Sequence, residues 1–173
     1  PCIGLAAMYA ERENPDGVMV VSPSDHLITN NALFEDTVLA AAKIARERDG
    51  IVTLGITPTY PATGYGYVQT AGDITGNEKI KQFKVERFVE KPDEDTATDY
   101  LKQGGFYWNS GLFVFKVSVF LNAVEEFAPE LYADLRKIQA DFGNPSYPET
   151  LDTIYRAVES ISVDYGIMEL SLI

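Results

Sequence analysis

The chain has 173 residues, enough for one domain with a hydrophobic core, and its 46% hydrophobic and 12% aromatic content is too apolar for disorder. A net charge of −12 and a pI near 4.4 repel nucleic-acid backbones, and no apolar run approaches the ~18 residues of a membrane span. Neither nucleic acid nor membrane is expected as a partner, and one cysteine, Cys2, with no signal peptide at the start of the chain, points to a reducing cytoplasm. A phosphate ligand would have to be attracted locally, by a few lysines or by a divalent metal held on carboxylates.

Residues 3–12 are Ala-rich and predict a helix lying against a sheet, ended by Asn14, Pro15, Asp16 and Gly17. Val18 to Val21 form an apolar run without alternation, the pattern of a strand covered on both faces, and Pro23 stops it. A second helix is predicted over 32–48, capped by Asn30 or Asn31, and IVTLGI (51–56) is another covered strand. Strand, helix, strand is a βαβ unit with parallel strands, and ligands of open parallel sheets bind just past the strand ends, where Asp25 and His26 lie. YGYVQT and IKQFKVERFVEKP (80–92) follow as β-rich segments around a turn at Gly72–Asn77. A helix over 94–103, a strand over 111–116 and helices over 117–127, 129–141 and 148–158 complete a mixed α/β domain.

Four short stretches can carry chemistry, and each has a plain structural alternative. Asp25 can hold magnesium, which takes one or two carboxylates and fills its other positions with waters or phosphates, or it can cap the next helix. His26 beside it suits packing at a strand end, and one histidine with one cysteine leaves no zinc site. TGYGYV (63–68) permits close backbone approach to a ligand, or makes a hairpin turn. It fails the dinucleotide fingerprint at Gln69, and no phosphate-binding G-x-x-x-x-G-K-[ST] loop occurs. In FVEKPD (88–93), Glu90 and Lys91 can both meet one ligand only if the strand ends there, as Pro92 permits; a solvated ion pair is the alternative. WNSG (108–111) puts the amide of Asn109 at a tight bend entering a strand, good for hydrogen-bonding a polar ligand and equally good for a turn. No nucleophile elbow is present, which leaves metal-assisted phosphate chemistry or binding.

In order, SPSDHLI, TLGITPTYPATGYGYV, FVEKPD, WNSGLFVFK and SVDYGIME resemble the mannose-1-phosphate guanylyltransferases (GDP-mannose pyrophosphorylases) of the sugar-nucleotidyltransferase superfamily, with motifs in register across residues 18–169. The resemblance implies a Rossmann-like nucleotidyltransferase fold, of glycosyltransferase-A type, with a mixed sheet and flanking helices. It implies transfer from GTP to mannose 1-phosphate with release of pyrophosphate, magnesium as cofactor, and no protein nucleophile. By motif, Asp25 becomes the metal carboxylate and, with Lys91, a catalytic residue. Gly66 becomes the close-approach glycine, Glu90 and Asn109 the partners of sugar hydroxyls, Lys91 the partner of the sugar phosphate, and Tyr65 a wall of that pocket. His26 keeps a role in packing or in support of its neighbour Asp25. A homo-oligomer is compatible with the sequence.

Members of that family open with a strand and a glycine-rich nucleotide loop followed by a lysine, and none of this precedes Pro1. Leu170 stands where a phosphate-meeting lysine follows the SVDYGIME motif, and the later segment with a second metal carboxylate is missing. The expectation is therefore a partial catalytic domain over 1–173, inactive by itself. The alternatives are a glucose-1-phosphate nucleotidyltransferase using dTTP or ATP, a non-catalytic sugar-nucleotide-binding domain, and a hydrolase dependent on His26.

Overall fold

The computed structural model describes residues 1–76 and 79–170. In chain order the elements are α1 (Cys2–Glu13), β1 (Val18–Val21), α2 (Asn31–Glu47), β2 (Val52–Ile56), β3 (Tyr67–Gly76), β4 (Lys81–Val89), α3 (Glu94–Gln103), β5 (Phe106–Lys116), α4 (Val117–Phe127), α5 (Pro129–Ala140) and α6 (Tyr147–Ala157), then a π-helical turn, Asp164–Met168. The helix ends follow local chemistry. Asn30 caps α2 by accepting from Leu33 N at 3.1 Å, Asp93 caps α3 from Thr96 N at 2.8 Å, and α5 and α6 each start on a proline in the first turn.

The five strands make one sheet around β5. β1 pairs with β5 at Val18↔Lys116 through Val21↔Phe113, and β2 pairs along its other edge, from Val52↔Val114 to Ile56↔Trp108. β3 continues on the β1 side of β5, with Tyr67↔Trp108, and carries β4 on its far edge. Every pairing is antiparallel, which differs from the parallel neighbours expected of β1 and β2. Those two strands do run in the same direction, as the α2 crossover requires, but β5 lies between them. Of the expected turn at Gly72–Asn77, Gly72 to Gly76 belong to β3 instead, and Asn77 lies outside the described residues.

The unalternating run LFVF in β5 is explained by helices on both faces. Leu112 and Val114 meet Ala41 and Ala45 of α2, whereas Phe113 and Phe115 join α1, α4 and α5 through Met8, Phe120, Leu121 and Leu135. A third cluster packs α3 against β3 and β5 through Tyr67, Ala97, Tyr100, Phe106 and Trp108. β1 is less covered than its composition suggests, since Val20 is 46% exposed.

Candidate functional site

β4 ends at Val89, and the next two residues bear the charges. Lys91 takes a φ of +46°, in the left-handed region that costs a non-glycine residue about 1–2 kcal/mol. This turn supplies the break in alternation that two adjacent side chains need to share one ligand. Lys91 Nζ donates to Glu90 Oε1 at 2.7 Å. The Glu90 side chain is only 9% exposed and that of Lys91 54%, so a nearly buried carboxylate holds an ammonium at the protein surface. The hydrogen bond, and then the charge of Glu90, raise the Lys91 pKa above its ordinary value.

Gly66 and Asn109 close on the same carboxylate. The Gly66 carbonyl accepts from Asn109 N at 2.8 Å. A Cβ at Gly66 would run into Glu90 Oε2 and lie 3.2 Å from Phe88 Cζ and 3.5 Å from Asn109 Cβ. Asn109 sits beside a bulge in β5: Gly55 pairs with Asn109 and Thr53 with Phe113, which leaves Ser110, Gly111 and Leu112 opposite Leu54 alone. The expected bend is thus inside a strand that begins at Phe106, and Gly111 makes it with a φ of +71°. Asn109 Oδ1 accepts from Thr53 Oγ1 at 2.8 Å and from Gly111 N at 3.2 Å, while Nδ2 donates to Asp164 Oδ1 at 3.1 Å. Tyr65 stands 47% exposed and edge-on to the buried Trp108 ring, with centroids 5.2 Å apart. Tyr60 flanks the same indole at 5.0 Å, and a hydrogen bond with Tyr65 raises its phenol pKa.

Three polar residues of this cluster had no role assigned from the sequence. Thr53 on β2 and Asp164 in the π-helical turn hold Asn109, and Glu169 just beyond that turn accepts from Glu90 N at 3.1 Å. Burial, and next the charge of Glu90, raise the Asp164 pKa; its own backbone N–H, Lys91 and Asn109 oppose that shift. SVDYGIME had marked the segment, but its carboxylates meet their partners only in the fold. Leu170, at the position expected to carry lysine, is 55% exposed.

Asp25 lies outside this cluster. It is exposed, in the loop after β1, and it does not cap α2, because Asn30 does. Pro23 of that loop packs on the β5 bend, with its Cγ 3.3 Å from where a Cβ of Gly111 would lie. His26 is exposed rather than packed. No group of three or more His, Cys, Asp or Glu side chains converges among the described residues. One exposed carboxylate is chemically compatible with magnesium only where phosphates and waters supply the other ligands.

The nucleotidyl transferase family model matches residues 1–152 of the 173. The chain belongs to the nucleotidyl transferase family. Among curated relatives of this nucleotidyl transferase chain, the mannose-1-phosphate guanylyltransferase of Escherichia coli is 38% identical over 98% of the chain and 36% of its own length. The xanthan biosynthesis protein XanB of Xanthomonas campestris is 41% identical over 98% of the chain and 35% of its length. The chain therefore spans about a third of such relatives. A crystal structure from Thermus thermophilus, titled a mannose-1-phosphate geranyltransferase, superimposes with a TM-score of 0.83 at 28% identity, over 96% of this chain and 45% of that one. One from Helicobacter pylori, titled a mannose-6-phosphate isomerase, gives 0.80 at 29%, over 98% and 64%. The mixed α/β fold with flanking helices is that of these proteins. No helix among the described residues is long and apolar enough to cross a membrane.

Proposed function

We propose that this chain carries the sugar-phosphate half of a mannose-1-phosphate guanylyltransferase that works in the cytoplasm. The observation behind the reading is the convergence of Gly66 just before β3, Glu90 and Lys91 just after β4, and Asn109 in β5 at one point beside an exposed tyrosine. A phosphate oxygen of mannose 1-phosphate attacks the α-phosphorus of GTP, the bond to the bridging oxygen breaks, and pyrophosphate leaves with the electron pair. The protein supplies position and charge rather than a nucleophile.

Glu90 accepts from a sugar hydroxyl and Asn109 donates to one. Gly66 lets the ring approach the backbone, and Tyr65 walls the pocket. Lys91 meets the sugar phosphate with an ammonium that Glu90 keeps charged. Asp25 would hold magnesium, which when bound neutralises the nucleotide phosphates. The names of the guanylyltransferase relatives support mannose and guanine over glucose 1-phosphate with dTTP or ATP.

The test is pyrophosphate release by the complete gene product, with mannose 1-phosphate and glucose 1-phosphate each paired with GTP, dTTP and ATP. Mannose 1-phosphate with GTP should be preferred, and Asp25→Ala should abolish metal-dependent turnover with the fold intact. Preference for glucose 1-phosphate, or no turnover with any pair, would overturn the reading.

A further inference from the structure

We propose that Asp164 and Glu169, at either end of the π-helical turn, are the positioning residues of this pocket. Asp164 fixes the Asn109 carboxamide as a donor toward ligand, and Glu169 pins the backbone where β4 gives way to Lys91. The inference rests on the sugar-phosphate reading for its ligand, but not for its geometry.

A primary amide has two acceptor lone pairs and two N–H donors. The backbone N–H of Gly111 can only donate, and an ionised Asp164 can only accept. Together they settle which end of the amide is which: Oδ1 faces Gly111 and Nδ2 faces Asp164. Thr53 Oγ1 then has to donate to Oδ1, and its single hydrogen is shared with the Leu112 carbonyl at 3.0 Å. Both lone pairs of Oδ1 are filled, and one N–H is left over. Asn109 can therefore offer a ligand a donor and nothing else.

Beside it Glu90 is acceptor-only, so the pair presents one donor and one acceptor. A hydroxyl, which both gives and takes a hydrogen bond, satisfies the two together. Glu169 holds the other half of the arrangement. By accepting from Glu90 N at 3.1 Å it fixes the Val89–Glu90 peptide, one residue before the left-handed Lys91, and so the backbone from which the Glu90 and Lys91 side chains start. One short turn thus braces a residue on β5 and one just past the end of β4, 55 and 79 positions away in sequence. Single π-helical turns recur at functional sites.

The test uses heteronuclear NMR of the side-chain amide of Asn109, assigned by its loss in Asn109→Asp, together with calorimetric titration of mannose 1-phosphate. Asp164→Ala should shift that amide pair and weaken binding about tenfold, the loss expected for one charge-assisted hydrogen bond. Asp164→Asn keeps an acceptor and should restore affinity to within about twofold. Glu169→Ala should move the backbone amide of Glu90, and Glu169→Gln should not. If Asp164→Ala fails to fold, the Asp164→Asn and Glu169 variants decide. The proposal is overturned if the Asn109 amide and the affinity are unchanged in Asp164→Ala, or if Asp164→Asn folds and binds tenfold weaker than the parent chain. Shifts as expected in a chain that binds no mannose 1-phosphate would uphold the brace and remove the sugar-phosphate reading instead.

Discussion

Gly66→Ala should separate stability from binding, because the added methyl group meets a side chain rather than the backbone. Gly66 has no left-handed φ, so alanine is conformationally allowed and stabilises by about 0.4–1 kcal/mol through the unfolded chain. Against this, the methyl drives away the far end of Glu90, whose pair with the half-exposed Lys91 is worth about 0–1 kcal/mol. Phe88 Cζ, 3.2 Å from the new atom, has to give by a few tenths of an ångström. The net change in unfolding free energy is within about 1 kcal/mol, measurable by urea denaturation. The pocket has no such tolerance. Displacing Glu90 removes a hydrogen bond from ligand to a charged acceptor, about 1.5–3 kcal/mol, or about 10- to 150-fold in the affinity for mannose 1-phosphate by calorimetry. An alanine variant that binds within about twofold of the parent would refute the placement of Glu90 against the ligand.

Further outcomes follow from the backbone and the charges. Lys91→Gly and Lys91→Ala both lose the ammonium, but glycine relieves the left-handed strain at +46° and should be about 1 kcal/mol more stable in denaturant. Equal stability would show that no strain is stored there. Asp164 has a folded pKa above its ordinary 3.8, so its contribution to stability is full below that value and is lost as pH rises through the folded pKa. Asp164→Asn should therefore gain stability over the parent chain as pH rises from about 4 toward neutral, in paired thermal scans. A difference that stays flat with pH counts against the burial and Glu90 effects. Glu11 behaves oppositely, since Arg136 and then Gln139 hydrogen-bond it and lower its pKa below 4.5, with burial opposing. Arg136→Met should cost about 1–2 kcal/mol at pH 7, and the cost should shrink as pH falls through the folded Glu11 pKa.

Local order was legible where local chemistry sets it. The Asn30 cap, the Pro148 start of α6 and the β1 run all fall within a residue or two of where the sequence puts them, because each depends on neighbours along the chain. Pairing was not legible. β5 separates β1 from β2, a contact between residues about a hundred positions apart that no periodicity encodes. The strand also begins at Phe106 rather than Gly111, because a bulge lets Ser110 and Gly111 stay in it where turn chemistry argues for a bend. Four site residues, Gly66, Glu90, Lys91 and Asn109, could be recognised as short motifs, and the fold brings them together. Asp164, Glu169 and Thr53 act on partners in other segments, and nothing in a single sequence joins them. Asn30 rather than Asp25 caps α2, and His26 is exposed where packing was expected.

β5 is bordered on both edges at Trp108, Phe113 and Val114. Phe113 pairs with Val21 and Thr53, Val114 with Val20 and Val52, and Trp108 with Ile56 and Tyr67. No smaller opening releases these amides, so they should exchange with solvent only when the whole domain unfolds. The Asn109 carboxamide is mounted on this strand, whereas Asp164 reaches it from the π-helical turn, outside the sheet. Local opening of that turn would then release the Asp164 contact before it disturbs the strand that carries the amide.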